Sequence, residues 1–159
     1  MTAGALIRPA VRTDRDKWRI LWDGYNAFYG HAGPTAIPEH VTDATWNRFF
    51  DPHEPMHALV AGRGEELLGF AHFIFHRSTY SVQPVCYLED LFTAKEARGK
   101  GVGRALIEAV CDRARQAGSA HVYWQTQETN ETARNLYDKI AGTSGFIVYR
   151  KACRPAEAS

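Results

Sequence analysis

The apolar positions follow two rhythms that alternate along the chain. Trp18, Leu21, Trp22, Tyr25, Phe28 and Tyr29 recur at steps of three and one, which gathers them on one face of a helix. Thr13 and Asp16 mark its start and Gly30 its end. Trp46, Phe49 and Phe50 predict a second, short helix that begins near Thr42 and is closed by a loop over residues 51–55. Ahead of both, Leu6, Ile7, Arg8 and Pro9 read as a short opening strand, placed at a sheet edge because proline cannot donate to a ladder.

The rhythm then changes to that of strands. Residues 57–61 lead through a turn at Gly62, Arg63 and Gly64 into a long run over residues 67–76, a hairpin, and residues 86–93 form a third strand. Helical period returns after Gly103, with Leu106, Ile107, Val110 and Ala114 on one side. Arg104, Glu108, Asp112 and Arg115 fall mostly on the other, and Gly118 ends the helix. Residues 121–124 read as a strand, and residues 130–140 as a helix whose apolar stripe is Ala133, Leu136, Tyr137 and Ile140. Residues 146–151 read as a closing strand, and the tail over residues 154–159 is expected to fray. This order predicts a single α/β domain, a mixed sheet with helices on both faces.

Composition narrows the function classes. The 159 residues are 45% hydrophobic and 12% aromatic, enough for a core that needs no disulfide or metal staple. Nineteen Lys and Arg against eighteen Asp and Glu give a net charge of +1, which argues against a nucleic-acid partner and against disorder. No apolar run approaches the roughly 18 residues of a membrane span, and the first residues lack the apolar stretch of a secretory signal. A cytoplasmic protein with no membrane partner is expected. Cys86, Cys111 and Cys153 are odd in number with no CxxC spacing, and the seven histidines form no ligand cluster, so neither a disulfide framework nor a metal is expected. His72 and His76 read as satisfied or solvent-facing residues of a strand.

The chemistry concentrates after the third strand. Leu88, Glu89, Asp90, Leu91, Phe92 and Thr93 are followed by Arg98, Gly99, Lys100, Gly101, Val102, Gly103 and Arg104, and then by an amphipathic helix. A strand, a glycine loop and a helix N-terminus present free backbone N–H groups and a positive dipole end, which suit a phosphate or pyrophosphate. Lys100 is followed by Gly101 rather than Ser or Thr, so the loop is not a Walker A motif. Arg104 stands where the third glycine of GxGxxG belongs, so ATP and NAD are poor fits. Taken alone, the loop also reads as a glycine-rich structural turn.

It is not alone. The sequence resembles the GNAT family of acetyl-CoA-dependent N-acetyltransferases, whose Arg/Gln-x-x-Gly-x-Gly/Ala signature is met by Arg98, Gly101 and Gly103. The family's downstream helix, with Asn and, seven residues later, Tyr, is met by Asn130 and Tyr137. Within the family, Tyr87-Leu88-Glu89-Asp90 and the opening Ile7-Arg8-Pro9-Ala10 look closest to the diamine (spermidine/spermine) and histone/polyamine acetyltransferases, with Thr93 departing from their more frequent valine. The resemblance implies six or seven mostly antiparallel strands with two splayed central parallel ones, at residues 86–93 and 121–124. It also implies acetyl-CoA as co-substrate, with Leu91, Phe92 and Thr93 at the acetyl-pantetheine end, Gly99 through Arg104 at the pyrophosphate, and Arg98, Asn130 and Ala133 as further contacts.

The reaction then says what else is needed. An alkylamine with a pKa near 10.4 is neutral in only about one molecule in a few thousand at pH 7, a cost of roughly 4–5 kcal/mol that a base can offset. Glu89 is the candidate base, direct or through water, and Asp90 the neighbour that attracts the cation. Adjacent strand residues face opposite ways, so one of them faces the acceptor unless a bulge re-aims both. Tyr137 is the candidate general acid for the leaving thiolate, or else a packed tyrosine of an apolar stripe. Asn130 is a helix N-cap, a cofactor contact, or both. Tyr25 and Tyr29, at the end of the first helix's aromatic face, are candidate walls of the acceptor site, where aromatic faces favour a cation.

The resemblance therefore implies transfer of an acetyl group to a polyamine or a protein lysine, by a homodimer. Another small amine or amino acid as acceptor, or a non-catalytic acyl-CoA-binding sensor, are the competing readings.

Overall fold

In a computed structural model that describes residues 4–154, five strands and four helices are present, and the chain divides into two compact units, Met1–Gln125 and Thr126–Ser159. The first unit opens with β1 (Leu6–Pro9), which pairs antiparallel with β2 (Met56–Arg63); β2 in turn pairs antiparallel with β3 (Glu66–His76), and β3 with β4 (Val85–Thr93). The fifth strand, β5 (Val122–Tyr123), joins β4 in parallel and completes the order β1-β2-β3-β4-β5. Proline at the end of β1 sits on an edge strand, where its missing N–H costs no ladder bond.

Two helices cover opposite faces of this sheet. On β3, Phe70 and His72 share one face and meet Trp22 and Trp18 of α1 (Arg15–Phe28). Gly69 faces the other way, towards Leu106 of α3 (Val102–Gln116). A Cβ on Gly69 would lie 2.5 Å from the Phe92 carbonyl oxygen, so β3 and β4 approach there as closely as glycine allows. The stripe read from the sequence, Leu106, Ile107, Val110 and Ala114, is the buried face of α3. That helix ends as expected at Gly118, whose N–H donates to the Arg115 carbonyl while Ser119 N–H reaches back to Ala114.

Three expectations shift. The second helix, α2 (Glu39–Arg48), starts after Pro38 rather than near Thr42. Thr42 is a buried residue within it, and its hydroxyl accepts the Trp22 indole N–H at 3.1 Å, which docks α2 on α1. The hairpin turn is Gly64 and Glu65, because pairing continues through Arg63 opposite Glu66, with a register shift after Ala61. Among the described residues the sheet has five strands rather than six or seven, and residues 146–151 carry no strand pairing. Phe146, Ile147, Val148 and Tyr149 are instead consecutive exposed apolar side chains, without the in–out alternation of a half-buried strand. The second unit's helix is α4 (Glu131–Ile140), half-buried at Ala133, Leu136, Tyr137 and Ile140. Most of the expected frayed tail, residues 155–159, lies outside the described residues. No helix among them is long and apolar enough to cross a membrane.

A carboxylate fastens β1 to the start of α1. Asp14 accepts two hydrogen bonds from the Arg8 guanidinium, at 2.7 and 2.9 Å, and one from the Val11 N–H at 2.8 Å. The Arg8 contact, seconded by the Val11 amide, outweighs burial and holds the Asp14 carboxyl below its ordinary value. A depressed folded value stabilises the fold above the unfolded pKa of about 3.9, and that stabilisation disappears as pH falls through the folded value. Asp14→Asn is expected to lower stability by about 1–2 kcal/mol at pH 7, a modest figure because Arg8 is partly solvent-screened. In urea denaturation the gap from the parent protein should narrow as pH drops from about 4 to about 2.

Candidate active site

One extra residue in β4 organises the site. In the β3–β4 register Phe73 stands opposite Leu88 and His72 opposite Asp90, so Glu89 has no partner on β3 and forms a β-bulge. Because His72 and Phe73 are neighbours on a pleated strand, their partners Leu88 and Asp90 face opposite sides, which an unbroken strand forbids for residues two apart. Leu88 stays in the core, Asp90 turns towards α1, and Glu89 stands at the bulge with its side chain part covered and part open to solvent.

Asp90 is held at both oxygens. Its Oδ1 accepts the Tyr25 hydroxyl at 2.6 Å, and its Oδ2 lies 2.9 Å from His72 Nδ1. Tyr25 packs edge-on to Tyr29 at 5.0 Å and to Phe92 at 6.1 Å between centroids. Burial, then the Asp90 charge, push the phenols of Tyr25 and Tyr29 up, so both remain protonated donors near neutral pH. Glu89 is also pushed above the ordinary carboxylate value, by burial first and by Asp90 second. The structure thus brings together Glu89, Asp90, Tyr25 and Tyr29. Two residues that the sequence reading did not assign to the site, His72 and Trp18, support them from the core; the one available signal was a histidine in step with Phe70 on an otherwise apolar strand.

Beyond the bulge the far edge of β4 is open. Its pairing with β5 covers only Cys86 and Tyr87, so among the described residues Leu91, Phe92 and Thr93 have no strand partner on that side. The chain continues through a 3-10 turn at Lys95–Ala97 into the glycine loop. Gly101 is the N-cap of α3, at φ +82° with no side chain capping it, which leaves the first N–H groups of the helix unclaimed by a side chain. Val102 is buried and anchors the helix, whereas Arg98, Gly99, Lys100, Gly101 and Arg104 are exposed. Arg98 Nε donates to the Thr93 carbonyl at 3.1 Å and its guanidinium lies over Phe92, Lys100 Nζ reaches the Glu96 carbonyl at 3.3 Å, and Arg104 pairs with Glu108. An open strand edge leading to an uncapped helix N-terminus fits a ligand with an amide-bearing arm and a diphosphate, the two halves of a pantetheine nucleotide.

In the second unit, Asn130 is the N-cap of α4, and its side-chain oxygen accepts the Ala133 N–H at 3.4 Å. Ala133 and Tyr137 follow at helical steps along the same face, and the Tyr137 carbonyl accepts the Ala141 N–H that closes the helix.

Comparison with known proteins places the chain in a family. The sequence profile of the acetyltransferase (GNAT) family matches residues 18–143. A D-amino-acid N-acetyltransferase (HPA3) of Saccharomyces cerevisiae is 36% identical over 140 residues, 87% of this chain and 84% of that protein. An uncharacterized N-acetyltransferase (YhfO) of Bacillus subtilis is 31% identical over 90% of this chain and 94% of its own length. Among solved structures, an aminoglycoside acetyltransferase, AAC(6')-Iy, in complex with a CoA-containing bisubstrate analogue has the same fold, with a TM-score of 0.77 over 94% of this chain and 99% of that one at 20% identity. Family profile, full-length relatives and fold converge: the chain is an acyltransferase and belongs to the GNAT acetyltransferase family.

Proposed function

We propose that this protein moves an acetyl group from acetyl-CoA to a primary amine by direct attack, with Glu89 as general base and Tyr137 as general acid. The observation that carries the reading is Glu89 alone at the bulge, where the open edge of β4 begins, with its proton affinity raised. A carboxylate so placed accepts the ammonium proton more readily than an ordinary one, and Asp90 beside it adds negative charge that draws the cation. Leu91, Phe92 and Thr93 hold the acetyl-pantetheine arm, and the loop from Arg98 to Arg104 holds the pyrophosphate. Asn130 and Ala133 are assigned to the cofactor, and Tyr137 to the departing thiolate, by the motif they share with the family. Tyr25 and Tyr29 wall the acceptor.

A polyamine or a protein lysine is the acceptor this reading favours. An amino acid is the second reading, supported by the D-amino-acid N-acetyltransferase among the relatives. Thiol release from acetyl-CoA with spermidine, lysine peptides and a panel of D- and L-amino acids separates the two, and no release with any amine leaves a sensor.

Gly101→Val places a β-branched side chain at φ +82° and in the path of the anion, so acetyl-CoA affinity should fall by most of its value; unchanged affinity by calorimetry in the folded variant removes the loop from the pyrophosphate.

The two proton-transfer roles separate by pH. Glu89 must be unprotonated to act, so kcat/KM should fall as pH drops through a value above the ordinary carboxylate range of about 4.3. Glu89→Gln should lose that acid limb and show a residual rate that climbs towards the acceptor's own pKa. Tyr137→Phe should lower kcat by at least about 10²-fold with little change in acetyl-CoA affinity and no rescue by pH.

We also propose a homodimer, supported by the four consecutive exposed apolar residues Phe146, Ile147, Val148 and Tyr149. Light scattering should give twice the 17.9 kDa chain mass at micromolar concentration, and a constant monomer mass overturns it.

A further inference from the structure

His72 is a buried ionisable residue that the reaction as written does not use. It is 2% exposed, and aromatic rings close round it: Phe70 stacks on the imidazole at 4.3 Å, Phe49 lies at 4.6 Å, and Trp22 and Trp18 stand at 5.5 and 6.0 Å between centroids. Its two nitrogens meet different partners. Nε2 is 3.0 Å from the Trp18 indole nitrogen, and Nδ1 is 2.9 Å from Asp90 Oδ2. An indole N–H only donates, so Nε2 must be the accepting, unprotonated nitrogen. The imidazole proton then sits on Nδ1 and is donated to Asp90. Two contacts fix one tautomer of a neutral ring, and Asp90, which accepts from Tyr25 at its other oxygen, is pinned between α1 and β3.

We infer that His72 is a positioning residue for the acceptor end of the site: fixed by Trp18 as its Nδ1–H tautomer, it clamps Asp90 against Tyr25 and so sets the charge beside which Glu89 works. The inference rests on the reading of Glu89 as the base. Glu89 and Asp90 are consecutive residues across the bulge, so any rotation of Asp90 changes the field at Glu89 directly. Tyr25 and Tyr29 on α1 and Tyr87 on β4 also interact with the pair; all three are neutral donors near pH 7, so the field they leave at Glu89 is set by how Asp90 is oriented. A protonated His72 would neutralise Asp90. The Trp18 N–H faces the nitrogen that would carry that second proton.

Asparagine and glutamine divide the two halves of the imidazole. The amide of His72→Asn reaches the position of Nδ1 and can still donate to Asp90, whereas that of His72→Gln reaches the position of Nε2 and can still accept from Trp18. Both lose ring stacking and one hydrogen bond, so a purely structural role lowers the stability of both and treats their chemistry alike. The expected result is that His72→Asn keeps the parent's acid limb of kcat/KM and its Glu89 carboxyl titration by 13C NMR. In His72→Gln both should move to lower pH, because the like charge of Asp90 that helps hold the Glu89 carboxyl up is no longer fixed beside it, and KM for an amine acceptor should rise more than kcat falls. Nitrogen-15 NMR of the parent protein should show the neutral His72 ring carrying its proton on Nδ1, with Nε2 bare. A proton on Nε2, or equal titration shifts in the two variants, overturns the inference. The NMR readouts do not depend on turnover, so they decide it even if Glu89→Gln retains its acid limb and Glu89 is not the base.

Discussion

A carboxylate turned in against a sheet has to find a donor for each oxygen, and much of this protein's first unit is arranged around meeting that demand at Asp90. An acceptor left without a partner in such a place costs about 1–3 kcal/mol, more when it is charged. Tyr25 supplies one donor from α1 and His72 the other from β3. Trp18 donates its indole N–H to the second nitrogen of His72, and is itself fixed by stacking on Trp22 at 5.5 Å and packing on Trp46 of α2 at 4.7 Å. The seating of both helices on the sheet is therefore tied to the satisfaction of one charged group, through rings that would otherwise be interchangeable core.

The same bulge divides the labour between two adjacent acids. A regular strand would send Glu89 and Asp90 to opposite faces and leave Asp90 on the same side as Leu88, in the core. The extra residue turns Asp90 to the aromatic side, where Tyr25 and His72 hold it, and leaves Glu89 at the bulge, part covered and part open to solvent. Burial first, and then the charge of Asp90 beside it, raise the proton affinity of Glu89. Tyr25 and Tyr29, driven upward by burial and by Asp90, stay protonated near neutral pH.

An unpaired sheet edge is ordinarily a hazard, since it offers a template for another strand. Here β4 leaves its partner after Tyr87, and the unpaired stretch leads within a few residues to a loop whose left-handed Gly101 opens α3 without a side-chain cap. Among the described residues, a strand edge that no other strand pairs thus leads along the chain to a helix start that no side chain caps. That continuity suits an acyl-CoA, whose amides and phosphates come in a corresponding order.

The sequence by itself determined the elements whose signals are local. The aromatic stripe of α1, the apolar face of α3, its glycine terminator, the N-cap at Asn130 and the glycine loop all depend on residues within a turn or two of one another, and each appears where its spacing put it. The start of α2 was misplaced because Thr42 resembles a cap locally, and only the packing of Trp22 shows that its hydroxyl is used across helices. The closing strand over residues 146–151 failed for a related reason: an apolar run is a strand only when another strand ladders it, and none does among the described residues. Glu89 and Asp90 could be named as a pair from the chain, but their separate orientations could not. Those follow from a register in which His72 meets Asp90 and Phe73 meets Leu88, a match between strands some fifteen residues apart that one inserted residue reverses and that no local pattern encodes.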